Sequence, residues 1–430
     1  MSRSTRQTGS SRGPAGSRAV VVGFAVVNAG LAAVLAAFLV MLIAGHQTDG
    51  SDFTAFYTGW RIVLEGRGAS LYDPVVQAEV QRAVLDGRVF PAGLNAFVNP
   101  PHLVLPFLPL GLLALRAGYV AWMLVQAALL AGIVVLLLRR VAPQWTVPER
   151  FALVAWAAAF PAVAISFFEG SFALVLALAS LAAFLEAERG RDGRAGAWLA
   201  LATLKPQGAV GPVLAFLAGR RLRMIASAAV VVLALSVVAT MVMGPGIWGA
   251  YASFLADPTR SFDRYSVTPS VMWNVRGTLA LLLGPDATDT ASGLSWLLFA
   301  GGMAGVAWLW RAGWRSDTDP ADRALRYGLT IAVTLLVSPH LNPHDDALLI
   351  VAVPLAYGAL RGSGLGRLVG VGAAAAPVFV AVVNGLGVTP ETSLPVRLPT
   401  VLLALLVVAL AAGLRTSPSE RRARAEVGSS

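Results

Sequence analysis

Apolar runs of about 17 to 25 residues, each long enough to cross a hydrocarbon core of about 30 Å as a helix, recur from one end of this chain to the other. Such a repeat excludes a soluble core with a polar rind, because no globular interior could bury so many full-length apolar helices. The composition agrees. Of 430 residues, 57% are hydrophobic and 13% charged, with a mean hydropathy of +0.70, far from the balance of a water-soluble domain. The runs leave no room for a separate soluble domain. The first, from Val20 to Ala44, is too long for a signal-peptide core and lacks a small-residue cleavage site, so it is expected to persist as a transmembrane helix.

The formal charge of +10 does not point to nucleic acid, because the arginines fall between apolar runs rather than on one face of a domain. They act as topology signals. The clusters Arg139 and Arg140, Arg189 to Arg194, Arg220 to Arg223, Arg311 to Arg326, and Arg361 with Arg367 all fall on one side if the chain crosses twelve times. The crossings lie near 19–45, 117–138, 150–167, 171–187, 195–207, 208–219, 222–243, 291–311, 325–338, 345–360, 366–386 and 397–414, and positive-inside bias makes that side cytoplasmic. The expected fold class is an all-α polytopic membrane protein, with a transmembrane domain over 19–414 between disordered cytoplasmic tails at 1–18 and 415–430. The two segments around Lys205 are too short to span unaided and are expected to form a broken, partly inserted hairpin lining a cavity. With no cysteine there is no disulfide, thiol nucleophile or zinc-thiolate site.

Three stretches then fall outside: 46–101, 244–290 and 339–346. In the first, Phe53, Phe56, Tyr57, Trp60, Val63 and Leu64 fall within an arc of about 120° on a helix, which predicts an amphipathic helix lying in the membrane interface. A second short helix is expected at Asp73 and Pro74, an N-cap followed by proline. The stretch from Pro101 to Leu115, interrupted by Pro106 and Pro109, reads as re-entrant.

The titratable residues concentrate on that face. Asp52 stands just beyond the first span, placed either to act as a base on a lipid-borne substrate or to cap a helix with Ser51. The run SPHLNPHDDALL packs His340, His344, Asp345 and Asp346 between two apolar spans. It fits a solvated loop, contacts to phosphate or hydroxyl groups, or a metal site, although Pro343 argues against the helical backbone that would bring both histidines to one face. Lys205, the only lysine, precedes a proline at a break in membrane-embedded helix, where a cation either faces a cavity or snorkels to a headgroup. Glu169, in FFEGS, reads as a turn residue at a hairpin tip.

Four segments in order resemble glycosyltransferase family 87, polyprenyl-phosphate-sugar-dependent transferases of the GT-C superfamily that include mycobacterial phosphatidylinositol-mannoside mannosyltransferases. These are DFTAFYTGWRIVLEGRGASLYDP from Asp52, FVNPPHLVLPFLPLGLL from Phe97, LATLKPQG with the following RRLR, and SPHLNPHDDALL. The resemblance implies a GT-C-like bundle in a bacterial plasma membrane. It also implies transfer of a hexose, mannose first and arabinose second, from a polyprenyl-phosphate donor to a glycolipid or glycan acceptor on the non-cytoplasmic face; no cofactor and no metal ligand is assigned, and no nucleic-acid partner is expected. It carries the role of general base onto Asp52. Charge on the departing phosphate would fall to Lys205, Arg61, Arg264, Arg276 and the histidine loop, and substrate contacts to Tyr57, His340, His344 and Asp345. The chain departs from the family at EGSFALVL, where a GQ pair followed by a small polar residue is expected. The rival reading is a secondary transporter of a small polar solute, which would show ionisable residues at mid-span and two similar halves; neither is present.

Overall fold

The computed structural model describes residues 15–45, 51–88, 94–256, 269–314, 318–385 and 397–415. The expected tails lie outside these, apart from residues 15–18 and Arg415 at the ends of the first and last helices, and so do Arg264 and parts of the loops at 46–101 and 244–290. All the described regular structure is helical. Six helices are long and apolar enough to cross a membrane: Ala19–Ala44, Leu115–Arg140, Leu222–Met243, Pro285–Trp310, Gly364–Val382 and Leu398–Arg415. A seventh crossing arises if Val147–Ala159 and Pro161–Glu169, bent by 41° at Phe160 and Pro161, count as one. Helix length thus supports six or seven crossings rather than the expected twelve. The helices Asp192–Ala202, Pro206–Ala218 and Leu349–Leu360 have 11, 13 and 12 residues, or about 16 to 20 Å at 1.5 Å per residue, less than the hydrocarbon thickness.

Of these short helices, Leu349–Leu360 lies inside the bundle. Ala173–Glu188 and Leu349–Leu360 are buried nearly all round, whereas the first span and Leu222–Met243 leave most of their apolar surface uncovered by the rest of the protein. Small residues permit the close approach that replaces a hydrophobic driving force in lipid. At Gly211, a Cβ would lie 1.8 Å from Thr334 Oγ1, so the Pro206–Ala218 and Pro320–Val337 helices pack backbone to side chain with no space for a larger residue.

Three interior helices have arginine at one end and the titratable cluster at the other. Ala173–Glu188 ends where Glu188 meets Arg323 through two bonds, 2.6 and 2.8 Å. Pro206–Ala218 runs from Lys205 to the turn before Arg221, which pairs with Asp192. Pro320–Val337 opens beside Arg323 and closes at Ser338, before the histidine loop. The arginine contacts and the cluster are therefore separated by helices of 13 to 18 residues, or about 20 to 27 Å.

The Asp52–Leu64 helix departs from its expected setting. Ten of its 13 residues are buried, so the aromatic stripe does not lie in the lipid interface. Phe53 packs edge-on to Trp60 and Tyr119, with ring centroids at 5.6 and 5.3 Å, and Phe56 packs edge-on to Phe172 at 4.4 Å. The opposite face, carrying Ala55, Thr58, Gly59 and Ile62, is small or apolar enough to be covered too, which a one-sided hydrophobic pattern does not reveal. The expected helix after Asp73 is present as Pro74–Val84, with the Asp73 carboxylate accepting Val75 N–H. From 101 to 112 the chain forms only short turns of helix, in keeping with a prolyl stretch that does not cross.

Candidate active site

The N-terminus of the Asp52–Leu64 helix is held by a lattice of amide side chains. Gln77 and Gln81, one turn apart on Pro74–Val84, each bond an extended residue in both directions. Gln77 Oε1 accepts Phe97 N–H at 2.7 Å and Gln81 Oε1 accepts Asn95 N–H at 3.1 Å, while Gln81 Nε2 donates to Asn95 O at 2.8 Å. Asn95 Nδ2 in turn donates to Ser51 O at 3.1 Å. These buried bonds fix the residue before Asp52. Ser51 occupies the N-cap without a side-chain capping bond, so Asp52 is the first helical residue. Its carboxylate accepts no hydrogen bond among the described residues and keeps 26% of its side chain exposed.

Three other segments converge there. Lys205 ends the break between Asp192–Ala202 and Pro206–Ala218 and makes an ion pair with Asp345. Its Nζ also lies 2.9 Å from His344 Nε2. An ammonium group only donates, so that contact requires the lone pair on Nε2 and assigns His344 the neutral Nδ1–H tautomer. His344 Nε2 stands 3.8 Å from Asp52 Oδ2, beyond hydrogen-bond range. The fourth segment is the one the sequence left as a plain turn: Glu169 Oε2 accepts the backbone N–H of Asp52 at 3.4 Å. At Gly170 the chain turns with φ +65, and a Cβ would meet that of Phe53 at 2.6 Å. Glycine is therefore required there for both conformation and space.

The histidine loop owes its shape to two neighbours. Asp345 accepts Asn342 N–H at 2.9 Å in a reciprocal capping box that starts the Pro343–Leu348 turn. Asn274 Nδ2 donates to Ser338 O at 3.1 Å, and Arg276 Nη1 donates to Pro339 O at 2.6 Å. Arg276 is thus brought to this loop, whereas Arg61 and Tyr57 are not brought to the cluster. The Tyr57 hydroxyl donates to Leu113 O, and Arg61 pairs with Glu65 at 3.0 Å. Both line a separate cleft of about 250 Å³ with Arg67 and Glu79.

Burial decides the charge states. Removal from water pushes Asp52 above the usual carboxylate range, a shift opposed by His344 and Lys205 and reinforced by Glu169 and Asp345. Burial, with Lys205 second, pushes His340 down to about 4 and His344 below its ordinary value. The histidines are neutral near pH 7. The loop therefore offers hydrogen bonds rather than the positive charge expected of it, and Lys205 and Arg276 are the cations that bear on it.

The cluster thus combines an unbonded carboxylate, a neutral imidazole and a lysine with one N–H not engaged by Asp345 or His344. The model of glycosyltransferase family 87 matches residues 97–339, more than half of the chain. The chain belongs to glycosyltransferase family 87. This membrane glycosyltransferase therefore has a sugar donor and an acceptor as substrates. The matched stretch includes Glu169, Lys205, Asn274 and Arg276 and lies between the two segments that supply Asp52 and His344. No curated protein and no solved structure matches the chain.

Sequence reasoning singled out Asp52, Lys205 and the run carrying His344 and Asp345, and the fold gathers them. It read Glu169 as a turn residue and passed over Asn274. A carboxylate inside an otherwise apolar hairpin was the available signal for Glu169; Asn274, in MWNVRG, carries none.

Proposed function

We propose that this glycosyltransferase moves a hexose, mannose in the first instance, from a polyprenyl-phosphate donor to a hydroxyl of a glycolipid or glycan on the non-cytoplasmic face, with Asp52 as general base. The observation that carries this reading is the Asp52 carboxylate, partly open and free of hydrogen bonds, beside Lys205 and His344. The ionised carboxylate takes the proton from the acceptor hydroxyl as its oxygen bonds to the anomeric carbon. The bond from that carbon to the phosphate oxygen breaks, and polyprenyl phosphate leaves with the electron pair, so the anomeric configuration inverts. A positioned base and fixed donors for the developing charge are what such a displacement needs. Lys205, with its remaining N–H, is assigned to the phosphate and Arg276 supports it, while His340, His344 and Asp345 frame the sugar. A lipid-borne donor needs no nucleotide fold, consistent with the absence of any Gly-rich phosphate loop in the sequence.

Proteoliposomes containing only this protein, given labelled polyprenyl-phosphate mannose and a membrane glycolipid extract, are expected to form labelled glycolipid. Uptake of a soluble solute with the donor left intact would instead establish a transporter.

The sidedness rests on the arginine contacts lying at the opposite helix ends from the cluster, since positive residues are retained in the cytoplasm. The chain has no native cysteine, so one introduced at exposed Ala69 is a clean reporter. It is expected to react with a membrane-impermeant thiol reagent in intact cells. Protection until the cells are permeabilised would place the site on the cytoplasmic face.

A further inference from the structure

Glu169 sits where a carboxylate does its own helix no good. It is the last residue of Pro161–Glu169, and a negative charge at a helix C-terminus opposes the macrodipole. Among the described residues no cation pairs with it. What it does meet is the positive end of another helix, through the Asp52 N–H at 3.4 Å.

The fold holds it there with unusual thoroughness. Tyr119, Trp122 and Gln126 occupy one face of Leu115–Arg140 and donate to the carbonyl groups that the ending helix leaves unpaired. The Tyr119 hydroxyl lies 2.8 Å from Phe167 O and 3.1 Å from Phe168 O, Trp122 Nε1 lies 2.8 Å from Gly170 O, and Gln126 Nε2 lies 3.1 Å from Ser166 O. Ser166 Oγ returns a bond to Gln126 Oε1 at 2.9 Å. Phe53, next to Asp52, fills the space over Gly170. The end of one helix is thereby locked to the start of the other.

A glutamine would accept the same N–H without bringing a charge, so the hydrogen bond alone does not account for the carboxylate. We infer that Glu169 is a positioning residue for Asp52, which aligns the base through its backbone N–H and strengthens it by facing it with a second negative group. The inference rests on the reading of Asp52 as general base. The groups facing Asp52 are Glu169 from Pro161–Glu169, Lys205 from the start of Pro206–Ala218, and His344 and Asp345 from the Pro343–Leu348 turn. Lys205 and Asp345 largely cancel each other as an ion pair and His344 is neutral. Glu169 is thus the acidic group in the set that has no counter-ion among the described residues.

The test is the pH profile of kcat/KM for sugar transfer in purified full-length protein, comparing wild type with Glu169→Gln and Glu169→Ala, alongside thermal melting. Glu169→Gln keeps the acceptor and is expected to melt like wild type. Its acid limb is expected to move to lower pH by about half a unit or more, because removal of a like charge lets Asp52 ionise sooner. Glu169→Ala also loses the acceptor and is expected to show the same displaced limb with a lower Tm. An acid limb in folded Glu169→Gln that superimposes on wild type would overturn the inference. If Asp52→Asn is inactive in the same assay, that result leaves the base intact and rejects Glu169 alone. If Asp52→Asn remains active, the base reading fails first.

Discussion

Asp52→Asn is expected to lower turnover by about 10² to 10⁴-fold, the usual contribution of a positioned general base, equivalent to about 3 to 5 kcal/mol in the barrier. The amide is nearly isosteric but cannot take the acceptor's proton. The scaffold gives no reason for a loss of folding. Ser51 holds the N-cap, the bond to Glu169 comes from the Asp52 backbone, and the carboxylate accepts no hydrogen bond that an amide would forfeit. Melting temperature and donor affinity should therefore stay close to wild type. A pH signature accompanies the loss. The base works when ionised, and burial holds Asp52 above the ordinary carboxylate range. Wild-type activity should accordingly rise as pH climbs through that elevated value, fall away below it, and show no such limb in the residual activity of Asp52→Asn. Sugar transfer and melting measured on one preparation decide the matter, and a folded variant that keeps most of its turnover removes Asp52 from the mechanism.

How far the sequence reveals this site depends on what each residue's partners are. Asp52, Lys205 and the histidine loop stand out locally, because ions beside prolines or next to membrane spans are costly and conspicuous in apolar surroundings. Their meeting is invisible along the chain: Lys205 and Asp345 are separated by 140 positions and become one ion pair only through the packing of Pro206–Ala218 against Pro320–Val337. The aromatic stripe of Asp52–Leu64 was legible as a buried face but not as one covered by protein rather than lipid, since both solvents select the same side chains. The count of twelve crossings is not matched by helix length for a related reason. Interior helices such as Leu349–Leu360 are as apolar as lipid-exposed ones, and hydropathy does not distinguish a short helix surrounded by others from a full span. Glu169 was set aside because a turn explains a charged residue locally, while its hydrogen-bond partner lies on a different helix.

Lys205→Met should separate what that residue does for the fold from what it does for the reaction. The Asp345 side chain is 1% exposed, so removal of the ammonium group leaves a buried carboxylate without its counter-ion, which typically costs about 3 to 5 kcal/mol. The single variant is therefore expected to melt well below wild type and to lose nearly all transfer. Pairing it with Asp345→Asn removes the stranded charge, while the asparagine oxygen can still accept Asn342 N–H and keep the turn that presents His344. The double variant should regain most of the thermal stability. Transfer should not return with it, because no ammonium group remains beside His344 to meet the negative charge that develops on the departing phosphate. A stable double variant with near-normal transfer would confine Lys205 to neutralising Asp345, and a single variant that melts and turns over like wild type would remove it from both roles.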